Sequence, residues 1–177
     1  MQKYLSLWVV LAVAVFWAVG VHNRLMRLRA AVWDAAASFE RQMHVLTGIC
    51  KVALLERDPC VQGVETLALA VQTMVLAMKG GKQAKGAASP IDYCTAMGTP
   101  WAQLQQSAEA YFLAAGDTPD PVSGAALGVT WTDGCTKANF AKAAATLAVA
   151  DYNAALGQAP ACWVAGLMGF ERLMPLA

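Results

Sequence analysis

Charge is scarce in this sequence: 14% of residues are charged and the net charge is +1. That balance removes the electrostatic case for a nucleic-acid partner, which needs a basic patch or stripe. Histidine occurs only as His22 and His44, and neither stands at ligand-like spacing from a cysteine. There is no CxxC pair and no HExxH, GxSxG or GxxxxGKS/T pattern. The common zinc, metalloprotease, serine-hydrolase and phosphate-loop sites therefore have no footing here. Glu56 and Asp58 are close in sequence, but they fall at a helix terminus, where capping accounts for them. No cofactor is implied, and the chain reads as non-catalytic. Proline is also missing until Pro59, so nothing stops a helix from running from the start of the chain to about Glu56.

What the sequence has in quantity is apolar side chains, at 58%. Leu5 to Val21 reads LSLWVVLAVAVFWAVGV, with no charge. At ~1.5 Å per residue this covers most of a ~30 Å hydrocarbon core. The expected arrangement is one membrane anchor over residues 1–21, built on Leu5, Trp8, Val13, Phe16, Trp17 and Val21, followed by one domain over residues 22–177. The competing possibility is a cleaved secretory signal, since Ala18-Val19-Gly20 is a small-x-small triplet. Against it stand a single n-region lysine, Lys3, a long apolar run and two tryptophans within that run. Arg24, Arg27 and Arg29 crowd the C-terminal flank. They favour a cytoplasmic domain at the inner membrane by the positive-inside rule, and suit either anionic lipid headgroups or a purely topological role.

Hydrophobic spacing organises the rest into helices. Leu25, Leu28, Val32, Ala35, Phe39, Met43, Leu46, Cys50 and Ala53 recur every three or four residues, one face of a long amphipathic helix. Asp58-Pro59 then restarts the chain as a cap followed by a first-turn proline. A second helix with Val61, Val64, Ala68, Val71, Val75 and Met78 on one face should stop at Gly80-Gly81. A loop over about 80–98 precedes a third helix opened by Thr99-Pro100, with Trp101, Leu104, Ala108, Tyr111 and Ala115 inside. A second loop over about 116–131 leads to a last long helix from about Thr132 to Leu156. Its expected buried stripe is Phe140, Ala143, Leu147, Ala150 and Ala154. A short apolar helix over about 160–169 follows, folded onto the bundle or lying against the membrane. The fold class is all-α: a single transmembrane helix leading into an elongated antiparallel up-and-down four-helix bundle.

Cys50, Cys60, Cys94, Cys135 and Cys162 are odd in number and scattered, which fits small apolar packing residues. In an oxidising compartment a pair such as Cys60 with Cys162 would be a candidate bridge.

Two stretches resemble the LemA family. HNRLMRLRAAVWDAAASFERQ, His22 to Gln42, resembles the family's opening, where a Tyr-Asn pair leads into an Arg/Leu helix; Asn23 keeps the asparagine and His22 stands for the tyrosine. DYNAALGQAPACWVAGLMGFERLMPL, Asp151 to Leu176, resembles its closing signature through Tyr152, Asn153, Pro160, Val164, Ala165, Gly169 and Phe170. The middle of the chain, residues 45–100, departs from the family pattern: MHVLTGICKVAL stands where a basic run and His-Asp-Leu-Ile-Pro-Asn are usual. The resemblance implies a divergent member of a family of bacterial envelope proteins, with a short anchor and an elongated helical bundle. Asn153, unfavourable in mid-helix, should reach a partner across a helix interface, and Tyr152 should bury its ring and keep its hydroxyl wet.

Two functions compete. One is a membrane-anchored scaffold or adaptor that meets membrane lipids and an integral membrane protein through Trp163, Leu167, Met168 and Phe170. The other is an envelope enzyme or ligand-binding regulator whose site the sequence does not display.

Overall fold

The computed structural model describes residues 2–55, 63–84, 94–116, 121–159 and 161–174. Regular structure among them is helical throughout, with no strand. Helix α1 spans Gln2–Leu55, α2 Val64–Ala84, α3 Gly98–Gly116, α4 Pro121–Gly157 and α5 Ala161–Met168. Helix α1 packs chiefly on α4, α2 on α3, and α5 on both α4 and α1. Asp58-Pro59, Cys60, Val61 and Pro160 lie outside the described residues.

The unbroken α1 follows from its lack of proline. It is long and apolar enough to cross a membrane, and its apolar N-terminal part is not covered by the rest of the chain. Phe16 is 84% exposed, and Trp8 and Val13 are exposed with it. From Leu25 onward the helix turns one face inward: Leu25, Val32, Phe39, Met43, Leu46, Cys50 and Ala53 are buried, as their spacing predicts, and Ala36 joins them. In α3 every expected core residue is buried: Trp101, Leu104, Ala108, Tyr111 and Ala115. In α2, Val71 and Met78 are buried, but Ala68 is exposed, and Leu67, Ala70 and Met74 complete the face. The Tyr111 hydroxyl donates to Ala53 O at 3.2 Å, and Cys94 Sγ lies 3.8 Å from Ala36 O.

Three expectations fail. Gly80-Gly81 does not end α2, which continues to Ala84. A glycine stop requires a left-handed residue, and among the described residues only Gly63 and Gly169 take positive φ. Within a helix each glycine costs about 1 kcal/mol, which weakens the turn without breaking it.

The expected loop over 116–131 is largely helix, because α4 begins at Pro121 rather than near Thr132. Proline's fixed φ suits a first helical turn. The added turns let Trp131 bury against Trp101 and Phe112, with ring centroids at 6.2 and 5.9 Å.

The third failure is the phase of α4. Phe140, Ala143, Leu147, Ala150 and Ala154 are all exposed, and the buried stripe is Trp131, Cys135, Ala138, Ala145, Val149, Tyr152 and Leu156. This second stripe holds more apolar volume, so turning it inward removes more surface from water. Gly134 adds a reason: a Cβ there would sit 2.6 Å from Leu46 Cδ2, so its hydrogen lets α4 approach α1 closely.

Candidate functional site

The side chains singled out near the C-terminus converge where α1 leaves its apolar stretch. Helix α5 ends at Met168, and Gly169 takes φ +71°, the left-handed conformation that suits glycine. The Phe170 amide then donates back to Ala165 O at 3.0 Å, the six-to-one bond of a Schellman cap, with Phe170 and Ala165 both packed against the core. Phe170 is thereby turned inward, its ring 5.7 Å from that of His22. Phe170 is half-buried, whereas Trp163, Leu167 and Met168, grouped with it in the sequence, are exposed.

Residues Glu171 to Leu173 run along α4 and are held by the Tyr-Asn pair. Tyr152 is 2% exposed and its hydroxyl donates to Glu171 O at 3.2 Å. Asn153 Nδ2 donates to Leu173 O at 2.7 Å, while the Leu173 amide donates to Asn153 Oδ1 at 3.0 Å. A side-chain amide that offers one donor and one acceptor to the same residue behaves like a short piece of β-ladder, which explains asparagine at this helical position. Burial pushes the Tyr152 hydroxyl above its ordinary range; Arg29 opposes this shift and Glu171 adds to it.

The outward face of α5 carries Trp163, Leu167 and Met168, exposed at 74%, 89% and 48%, while Val164 and Ala165 are buried. Asn23, Arg24 and Arg27 are exposed on α1 within two turns of the end of its apolar stretch. The Arg29 guanidinium lies over the Trp33 ring at 5.6 Å, a cation–π contact, so it is partly engaged within the protein. In the apolar N-terminal part of α1, Leu5 lies within the helix, Trp17 is exposed, and Val21 is half-buried against the core. Asn23 does not join the Tyr152-Asn153 clasp. His22 was visible in the sequence only as a tyrosine replacement; its role as the ring beneath Phe170 carried no local signal.

A second feature lies at the far end. An open groove of about 830 Å3 between α3 and α4 has Phe112 and Trp131 as its apolar floor and Glu109 and Asp133 at its sides. Its polar groups are largely engaged: Lys137 Nζ donates to Asp133 at 2.6 Å, and the Thr132 and Thr136 hydroxyls donate to backbone carbonyls four residues back. No nucleophile and base are paired there.

Cys50, Cys94 and Cys135 are buried and Cys162 is half-buried, all as free thiols. Burial pushes Cys50 up to about 12, with Cys135 adding to the rise, and Cys135 up to about 11, with Glu109 adding. Cys50 and Cys135 are therefore packing residues and weak nucleophiles at neutral pH. Among the described residues no group of three His, Cys, Asp or Glu side chains is placed to hold a metal ion.

No protein-family model matches this chain, and neither the curated proteins nor the solved structures contain a match to it.

Proposed function

We infer that the chain is a membrane-anchored, non-catalytic scaffold or adaptor of LemA type in a bacterial cell envelope. Residues 1–21 cross the inner membrane once. Residues 22–177 form an elongated antiparallel up-and-down four-helix bundle beside it, on the cytoplasmic side. Two hydrogen bonds support that topology. Cys94 to Ala36 and Tyr111 to Ala53 both span 58 residues, so α3 follows α1 in the same direction, as the third helix of such a bundle does. The close approach of Gly134 to Leu46, with Phe170 lying against His22, fits a reversed α4 and its extension.

The observation that carries the functional reading is the clasp. Tyr152 and Asn153 draw the C-terminal segment back to His22, the first residue after the anchor. Trp163, Leu167 and Met168 are thereby presented, uncovered, at the membrane end of the bundle. An apolar trio there, beside the exposed Arg24 and Arg27, fits contact with headgroups and with an integral membrane protein. The test is crosslinking and purification of the full-length chain from native membranes, compared with a Trp163→Ala/Leu167→Ala variant. A defined membrane partner recovered with the natural sequence and lost with the variant is expected. The same background proteins in both samples would refute the adaptor role.

A further inference from the structure

Helix α4 has two apolar faces, and its fold uses only one. On the unused face Phe140 and Leu147 are 81% and 64% exposed, and Ala143, Ala150 and Ala154 lie between and beyond them. The steps are three, four, three and four, which is a heptad seam with Phe140, Leu147 and Ala154 at a and Ala143 and Ala150 at d. The residues opposite that seam, Ala138, Ala145 and Tyr152, occupy f and are among the most deeply buried of the chain, at 0%, 1% and 2%. The seam is therefore aimed directly away from the protein's own core.

The geometry points to a second copy of this chain as the occupant, paired through α4 in a parallel coiled coil. This rests on the membrane reading above, because the shared bilayer fixes orientation. Two copies anchored by α1 in one membrane stand the same way up and at the same height, so α4 meets α4 in parallel and in register. In that register the flanking g and e′ positions bring Asn139 opposite Ala144 and Thr146 opposite Asp151, with no like charges facing. Lys137, which would point towards the upper end of the seam, is already held by Asp133. The seam ends where Asp133 and Thr136 would occupy the next a and d positions above, and Gly157 the next d position below. Five apolar layers make a short contact beside the ~1,200 Å2 of a free-standing interface. Confinement to one plane raises the effective concentration and compensates for that shortness.

The experiment uses the full-length chain in native membranes, with Cys60→Ser and Cys162→Ser leaving only the buried native thiols Cys50, Cys94 and Cys135. Leu147→Cys is compared with Leu69→Cys, an equally exposed leucine on α2. Mild oxidation should give a covalent dimer through Leu147→Cys at a yield at least tenfold above Leu69→Cys. Equal yields, or no dimer at Leu147→Cys although the thiol labels with a maleimide, would overturn the proposal. So would a crosslinked species heavier than two chains, which would indicate a different partner. Ala150→Glu, on an exposed position, should abolish oxidation-dependent dimer formation in the Leu147→Cys background while leaving the helix content by circular dichroism unchanged. An alkaline wash separates the two levels of the argument. A chain retained in the membrane without dimer defeats only the pairing, whereas a chain washed free defeats the anchor on which the pairing rests.

Discussion

Replacing Asn153 by alanine removes both hydrogen bonds to Leu173, one donated at 2.7 Å and one accepted at 3.0 Å. At about 1 kcal/mol net for each bond the loss approaches 2 kcal/mol. Both partners are only partly buried, so water replaces some of it and about 1–2 kcal/mol is the working range. Alanine also improves the propensity of α4 by roughly 0.5 kcal/mol, which offsets part of the loss in global stability. The two effects act on different structure, however. The propensity gain belongs to the helix, and the hydrogen-bond loss belongs to the segment Phe170–Leu173 that the side chain holds down. A melting temperature mixes them, whereas amide hydrogen exchange at Leu173 reads the local opening alone. The expected result is exchange at Leu173 about 5- to 30-fold faster, at about 1.4 kcal/mol per factor of ten. The core amides of α3 should be unchanged. Exchange at Leu173 within twofold of the natural protein would refute the clasp as what fixes the C-terminal segment.

Other perturbations follow from the same packing. Gly134→Ala forces a methyl against Leu46, which is fully buried, and should destabilise the fold by roughly 1–3 kcal/mol; Gly48→Ala, with nothing within 4 Å, should stabilise it by about 0.5–1 kcal/mol, both read by thermal melts. The folded pKa values of Cys50 and Cys135, about 12 and about 11, exceed the ordinary 9.0, so above pH 9 the unfolded chain releases protons that the folded chain keeps. Their stabilising effect is complete below that point and is lost as pH rises towards 11–12, at about 1.4 kcal/mol per pH unit for the fully buried Cys50. Denaturant midpoints should fall over this window, and the fall should flatten in Cys50→Ala/Cys135→Ala. For membrane sidedness, the buried Cys94 and Cys135 are poor reporters. The exposed Leu69→Cys should react with an impermeant maleimide only after the membrane is opened, and labelling in intact cells would place the bundle outside.

Legibility in the sequence tracked how far apolar character was confined to one face. From Trp101 to Tyr111 the inward residues of α3 are interleaved with Gln103, Gln105, Gln106, Ser107 and Glu109, so the stripe Trp101, Leu104, Ala108, Tyr111, Ala115 has a single phase and every member is buried. The inward face of α1 from Leu25 onward is nearly as clear. The need for a partner at Asn153 could also be read locally, because asparagine in mid-helix is disfavoured unless its amide is used, although nothing local named Leu173 as that partner. Helix boundaries were harder. Gly80-Gly81 resembles a stop, and the proline- and glycine-broken stretch before Leu127 resembles a loop; both lie within helices, because glycine costs only about 1 kcal/mol in a helix and proline is tolerated in its first turn.

Helix α4 shows why periodicity alone does not settle orientation. Between Phe140 and Leu156 alanine is so frequent that two stripes, offset by about half a turn, are each apolar at every third or fourth residue. A spacing argument finds both and has no means to rank them. What ranks them is tertiary: Trp131, Val149, Tyr152 and Leu156 match the space left by α1 and α3, and Gly134 admits Leu46 only if that side faces inward. The losing stripe remains apolar all the same, with Phe140 and Leu147 in solvent. Burying an average leucine or phenylalanine is worth about 1.5–3 kcal/mol, so leaving both exposed forgoes several kcal/mol that a partner on that face would recover. The misassigned phase and the unpaired seam are thus one property of the helix, an apolar surplus that a single core cannot absorb.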